Sequence, residues 1–349
     1  MMIQKKIAFY ILIIQVLFFS KGFAQGTVTD DVDSIIQTGI DYIHQDKFNE
    51  GIAEFKKIID AYPDEPVGYF FVAASYQTLI DDYRNEKYKA RFEEYVDTAI
   101  AKAQRKIDNG SDSAEDHFYL GGAYGYRGIY KSFRGNWWGA FKDARGAKSH
   151  LDKALEIDSA LYDCYFGLGA YHYWGSIKSR IFWWLPFLGN DKEKGIQQYK
   201  LAAEKGRYAK VEAKYGLLRV YMEEKEYRKA LELAEELKSI NPDDPFIFWT
   251  VGQAFIGLRN WDDALKSHQK LLDYFKASPY YDLMAEVECR YWLAYIYFNQ
   301  AQYQKSLEQL GFVMANKAYV KDNDYSKPVL EGAEKLKAKI KEEMQKPKG

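Results

Sequence analysis

Small, aromatic and proline positions repeat along the chain at fixed offsets. Gly39, Tyr42, Gly51, Phe55 and Pro63 recur as Leu218, Tyr221, Ala230, Ala234 and Pro242, with identical spacing inside the two copies. Small residues that face one another let two antiparallel helices approach closely, while large apolar side chains beside them fill the remaining space. Each copy therefore predicts a helix, a turn and a second helix. The joints agree. In Tyr62-Pro63-Asp64-Glu65-Pro66 and Asn241-Pro242-Asp243-Asp244-Pro245, the first proline ends a helix and the second suits the first turn of the next. The acid before that second proline is placed to cap it. One hairpin cannot bury its apolar face alone, so successive hairpins stack into a superhelix instead of forming separate globules. Lys327 to Lys346 closes the array, with Leu330, Ala333, Leu336, Ile340 and Met344 forming one apolar stripe beneath many charges.

These residues resemble the tetratricopeptide repeat (TPR), a 34-residue helix-turn-helix with small residues at positions 8 and 20, aromatics at 11 and 24, and proline near 32. Aligned on that pattern, units begin near Val32, Pro66, Ala114, Ala160, Val211, Pro245 and Val287. Some units are longer. Leu120-Gly121-Gly122-Ala123-Tyr124 fits positions 7 to 11, but the matching Ala147, Leu151 and Ala154 arrive 14 residues late. Phe166-Gly167 is followed by Gly195, Tyr199 and Ala202 only after a 16-residue insertion. The resemblance implies an all-α fold, an α/α superhelix (solenoid) of about seven helical hairpins over residues 32–326. Insertions are expected near 133–146 and 175–190, with a short segment at 25–31 before the array and a capping helix and tail at 327–349.

Composition bears on where such a protein works. The 25 Gly and 8 Pro among 349 residues make about 9%, below the roughly 12% average, which disfavours collagen-like, linker-rich and turn-dense all-β chains. Lys and Arg total 49 against 50 Asp and Glu, a net charge of −1 that gives no electrostatic case for nucleic acid. Residues 1–24 read as a secretory signal: Lys5 and Lys6 lead, Ile7 to Phe19 form an apolar run broken only by Gln15, and Gly22-Phe23-Ala24 supplies small residues for cleavage after Ala24. That run is shorter than the ~20 residues a membrane-spanning helix needs. Losing Lys5, Lys6 and Lys21 takes the net charge from −1 to −4. The expectation is a periplasmic or secreted chain with no transmembrane segment after signal removal. No cysteine stands near the cleavage site to carry a lipid.

Catalytic and metal patterns are missing from the sequence. His44, His117, His150, His172 and His268 are scattered, with no His-Glu-x-x-His pair. Gly121, Gly122, Gly125 and Gly128 lack the strand and the Gly-Lys-Ser/Thr of a phosphate loop, and suit close helix packing. Cys164 and Cys289 fall three stacked units apart, beyond disulfide reach, and are expected as separate thiols. Acid pairs such as Glu223-Glu224 and Asp262-Asp263 mark solvated helix faces. Neither an enzyme, nor a metal site, nor a cofactor is expected.

The TPR resemblance also implies a binding surface, because that family lines its concave face with positions 2, 5, 9, 12 and 13 of each first helix and holds peptide segments there. Those positions are Phe70 and Gln77, Phe118 and Tyr126, Tyr171 and His172, Tyr215 and Arg219, Trp249 and Gln253, then Tyr291, Tyr295, Phe298 and Asn299. The implied groove is aromatic rather than charged. Arg219 is its one cation, so it should not select a C-terminal carboxylate. Rings of this kind anchor a protein or peptide partner at low entropy cost, and they equally pack against neighbouring units. The two insertions carry Trp137, Trp138, Trp183 and Trp184 at one edge of the superhelix. Those rings either seal the longer helices or mark a partner, lipid or glycan contact. Asn190-Asp191 is placed to cap the helix that follows. Gly169 to Tyr173, then Leu185 to Asp191 and Gly195, further resemble TPR proteins associated with periplasmic TRAP transporters. That likeness implies a second function, an accessory protein enclosing a small apolar or sugar-like ligand.

Overall fold

The computed structural model describes residues 26–179 and 191–346. Every regular element among them is helical, and the helices pair in order. α1 (Gly26–His44) pairs with α2 (Phe48–Ala61), and α3 (Pro66–Tyr83) with α4 (Lys89–Asp108) through a short 3-10 turn, Glu86–Tyr88. Then come α5 (Ala114–Phe133) with α6 (Trp137–Ile157), α7 (Cys164–Ser179) with α8 (Lys192–Lys205), and α9 (Lys210–Glu223) with α10 (Tyr227–Leu237). The last hairpins are α11 (Pro245–Gly257) with α12 (Trp261–Ala277), and α13 (Leu283–Asn299) with α14 (Tyr303–Ala315). A single turn, α15 (Lys317–Val320), leads into the terminal α16 (Ser326–Gln345). First helices start at Pro66, Ala114 and Pro245, the residues marked by the repeat register. The signal-like residues 1–24 and the pair Trp183 and Trp184 lie outside the described residues.

The late-arriving residues of the third unit are accommodated by longer helices, not by a loop. α5 has 20 residues and α6 has 21, joined by a tight turn at Gly135 with φ +72°. Buried Asp143 ties the two together: Arg127 donates to both its oxygens at 2.9 Å and Lys131 at 2.7 Å. Burial opposes the charge of Asp143, but these cations overcome it and hold its carboxyl below the usual range.

Close helix approach rests on glycine where the repeat requires it. A methyl group on Gly39 would lie 2.4 Å from the Phe55 ring, and one on Gly252 would lie 2.3 Å from the His268 ring. The two sites occupy the same place in the first and sixth hairpins. The turns after first helices share another device: Asp46, Lys225, Arg259 and Ala301 all adopt left-handed backbone, with φ between 56° and 59°. A left-handed residue there ends a helix and lets the chain reverse. None of the four is glycine.

Not every anticipated cap forms. Asp244 accepts from Ile247 N at 3.0 Å and caps α11. Glu65 makes no such bond, because its longer side chain reaches out to Lys106 Nζ at 2.6 Å instead. Asp191 makes no side-chain cap either; its backbone N–H donates to Ser176 Oγ at 2.9 Å.

Among the described residues apolar burial is divided among six clusters along the array, as stacked units demand. Two clusters break the linear order: Tyr208 and Tyr325 pack on that of the first three hairpins, and a second joins the two ends. Phe48, Leu79 and Tyr83 of the first two hairpins share it with Phe248, Leu271, Phe275 and Leu293 of the last two. The superhelix has curled until its two ends touch.

Candidate functional site

The C-terminal end of α3 is the place where the two ends of the array meet. Tyr83 donates to Tyr274 Oη at 3.2 Å, and Tyr274 donates in turn to Asp46 Oδ2 at 2.7 Å. Arg84 Nε donates to Glu288 Oε2 at 2.7 Å, and its guanidinium lies 4.7 Å from the Tyr325 ring centre. Asn85 reaches the Tyr280 carbonyl at 3.1 Å, and Asn323 reaches the Arg84 carbonyl at 2.9 Å. Tyr325 donates to Asp81 Oδ1 at 2.8 Å. Charges and amides are thus matched across the closure, and apolar contacts lie beneath them.

Beside this closure, first helices of separate hairpins bring polar and aromatic side chains within reach of one another on an inner face. α3 supplies Gln77, Asp81 and Asp82; α5 supplies Tyr126; α9 supplies Glu212, Tyr215 and Arg219; and Asp244, Phe246 and Trp249 come from the start of α11 and the residue before it. His44 and Asp46 enter from the end of α1. His44 Nε2 lies 3.0 Å from Glu212 Oε1; burial opposes a proton on the ring, yet the Glu212 carboxylate raises its pKa overall. Tyr215 donates to Asp244. Arg219 lies 4.6 Å from the Phe246 ring centre.

The electrostatics of this face are dominated by carboxylates that resist ionisation. Burial pushes Asp46 up to about 7, and the Asp244 charge adds to the effect. Burial also raises Asp82, helped by Asp244 and Asp46 and opposed by Arg219. Asp244 itself is raised by burial against hydrogen bonds from Tyr215 and the α11 backbone. The aromatic, nearly uncharged lining implied by the repeat positions is therefore corrected: the inner face is acidic.

No family model and no curated protein matches the chain. Solved structures are similar to it. One is a Rap protein complexed with competence and sporulation factor, at 14% identity over 84% of this chain and 78% of that one, with TM-score 0.51. Another is the APC/C hetero-tetramer Cut9–Hcn1, at 14% identity over 83% of this chain, with TM-score 0.50. This chain spans 50% of that longer one. Such neighbours are built from tetratricopeptide repeats, and their likeness at this identity is one of fold. The chain folds as a TPR protein.

Within this TPR fold the residues picked out by repeat position separate into two groups. Tyr126, Tyr215 and Arg219 lie at the inner face, and Gln77 and Trp249 border it, Gln77 by donating to Asp81 and Trp249 by stacking on Phe246. Phe70 and Phe118 are buried in an aromatic cluster, with Phe70 5.7 Å from Tyr126. His172 serves its own hairpin: its Nδ1 contacts Gln198 Oε1 at 2.7 Å and the Leu168 carbonyl at 2.8 Å. Tyr171 lines a shallow hollow of about 340 Å³ against α6. Tyr291 and Tyr295 pack around Trp292 and Trp261 in the last hairpins.

Sequence reasoning missed His44, Asp46, Asp81, Asp82, Glu212 and Asp244. Glu212 and His44 do occupy repeat positions 2 and 13, so that register was the available signal. Asp81 and Asp82 escaped it because α3 runs 18 residues, longer than a standard first helix. At the predicted edge, Trp137 is 46% exposed and Trp138 is 75% exposed, beside Phe133 at the turn between α5 and α6. Among the described residues no group of three His, Cys, Asp or Glu side chains is arranged to hold a metal, and no helix is long and apolar enough to cross a membrane.

Proposed function

We propose that this TPR protein is an exported, non-catalytic scaffold that holds a protein or peptide partner on its inner face. What supports the reading is the convergence of polar and aromatic groups from five first helices on one partly solvent-exposed surface. Similar folds have been solved with another factor bound, as in the Rap complex. The signal-like N-terminus supports a periplasmic or secreted location. The exposed Trp138 supports the α5–α6 edge as a second contact surface, the one that would serve an accessory protein with a small apolar or sugar-like ligand.

Affinity capture with residues 25–349 on beads, from the envelope fraction of the source cell, tests this. The wild-type chain is compared with Glu212→Gln and with Trp138→Ala, each checked for helicity by circular dichroism. A partner lost with Glu212→Gln alone supports the inner face; one lost with Trp138→Ala alone moves the function to the edge. A captured set that neither substitution changes sinks the reading.

A further inference from the structure

We infer that the occupant of the inner face is a cationic segment, a stretch of polypeptide presenting lysine or arginine side chains. This rests on the scaffold reading above and adds the chemistry of the partner. Asp46, Asp81, Asp82, Glu212 and Asp244 face the site, against Arg219 and the His44 ring already engaged by Glu212. Among the described residues, no hydrogen bond or ion pair reaches Asp82.

A group of carboxylates alone would not define a site. The second observation is Gln77, only 4% exposed, whose Oε1 has no partner. Its Nε2 donates to Asp81 Oδ2 at 3.1 Å. Rotating the amide does not cure this, because it would turn the carbonyl oxygen toward the Asp81 carboxylate. Glu212 Oε2 is likewise buried without a partner. A buried acceptor without a donor costs free energy, and an ionised donor satisfies it best.

What this face lacks is donors for its unpaired acceptors and positive charge beside carboxylates that burial holds protonated; a guanidinium or ammonium group supplies both, and its approach draws those carboxylates into the ionised form. Tyr126, Tyr215 and Phe246 offer ring faces that attract cations, as Phe246 already does for Arg219. Trp249 Nε1 is a buried donor without a partner, and it calls for an acceptor such as a main-chain carbonyl. A peptide carries both groups. A free polyamine carries only the first.

The test uses fluorescence anisotropy with residues 25–349 and fluorescein-labelled nine-residue peptides, one with three arginines spaced by serine and alanine, the other with glutamates in their place. The basic peptide is expected to bind and the acidic one not to. Asp82→Asn combined with Glu212→Gln should weaken binding about tenfold, the order of one lost charge-assisted contact. Arg219→Ala should strengthen it. Glu235→Gln, on the outer surface, should leave it unchanged. Circular dichroism confirms that each variant keeps its helices, and Arg219→Ala keeps the inference falsifiable should the double variant unfold. Equal binding of both peptides, indifference to the inner-face substitutions, or equal displacement by spermidine would overturn it. An inner-face partner captured from the envelope that displaces no basic peptide would defeat this inference and leave the scaffold reading standing.

Discussion

Replacing Asp46 by asparagine should stabilise the protein at neutral and alkaline pH and leave it unchanged in acid. Asp46 sits inside the closure, where it accepts from Tyr274 at 2.7 Å and from Asn241 at 3.4 Å. Burial lifts its carboxyl from an ordinary value of 3.8 to about 7. Between those two pH values the folded chain holds a proton that the unfolded chain has released, so stability falls as pH rises, by about 1.4 kcal/mol per pH unit for one group. Over the full interval the upper bound is roughly 4 kcal/mol. Asp46 is not fully sealed, and water screens its charge, so we expect about 2 kcal/mol at pH 8. Asparagine keeps an oxygen for Tyr274 and tolerates the left-handed φ of +58°. Urea midpoints of both chains at pH 4, 5, 6, 7 and 8 provide the assay. The curves should meet near pH 4 and separate steadily above it. A variant less stable at pH 8, or a gap independent of pH, would refute the argument.

Other outcomes follow from the packing. Gly252→Ala should cost about 1–3 kcal/mol in chemical denaturation, because the new methyl would overlap the buried His268 ring. Ala301→Gly should stabilise by about 0.5–1 kcal/mol, relieving an L-residue held at φ +56° on an exposed turn. Cys164 and Cys289 are free and buried in different clusters, with burial pushing both thiols up. Labelling by a thiol reagent should therefore be slow until denaturant is added, and reductant should not move the unfolding midpoint.

The hairpins were legible because their signal is local and repeated: Gly39 against Phe55 and Gly252 against His268 recur at one spacing, and the proline joints punctuate them. The closure was not. Asp46 meets Tyr274 across 228 residues, and Asp81 meets Tyr325 across 244, at separations where no periodic pattern connects the partners. Legibility of the site divides along the same line. Repeat position located Gln77, Tyr215 and Arg219, since each helix keeps its own register. It missed Asp82 because α3 continues past the standard length, and it put His172 on the wrong surface because Gln198 of the adjoining helix offered a closer partner.

The clasp between Tyr83 and Tyr274 fixes the number of units that lie between them. An open array can gain or lose a hairpin at any joint and still stack correctly. Here a hairpin inserted between the second and sixth units would drive Tyr83 and Tyr274 apart by about 10 Å for every helix added, and the clasp would not form. Extra residues can enter such a ring only inside an existing hairpin, by lengthening its helices outward, and α5 with α6 is an instance of that kind of growth.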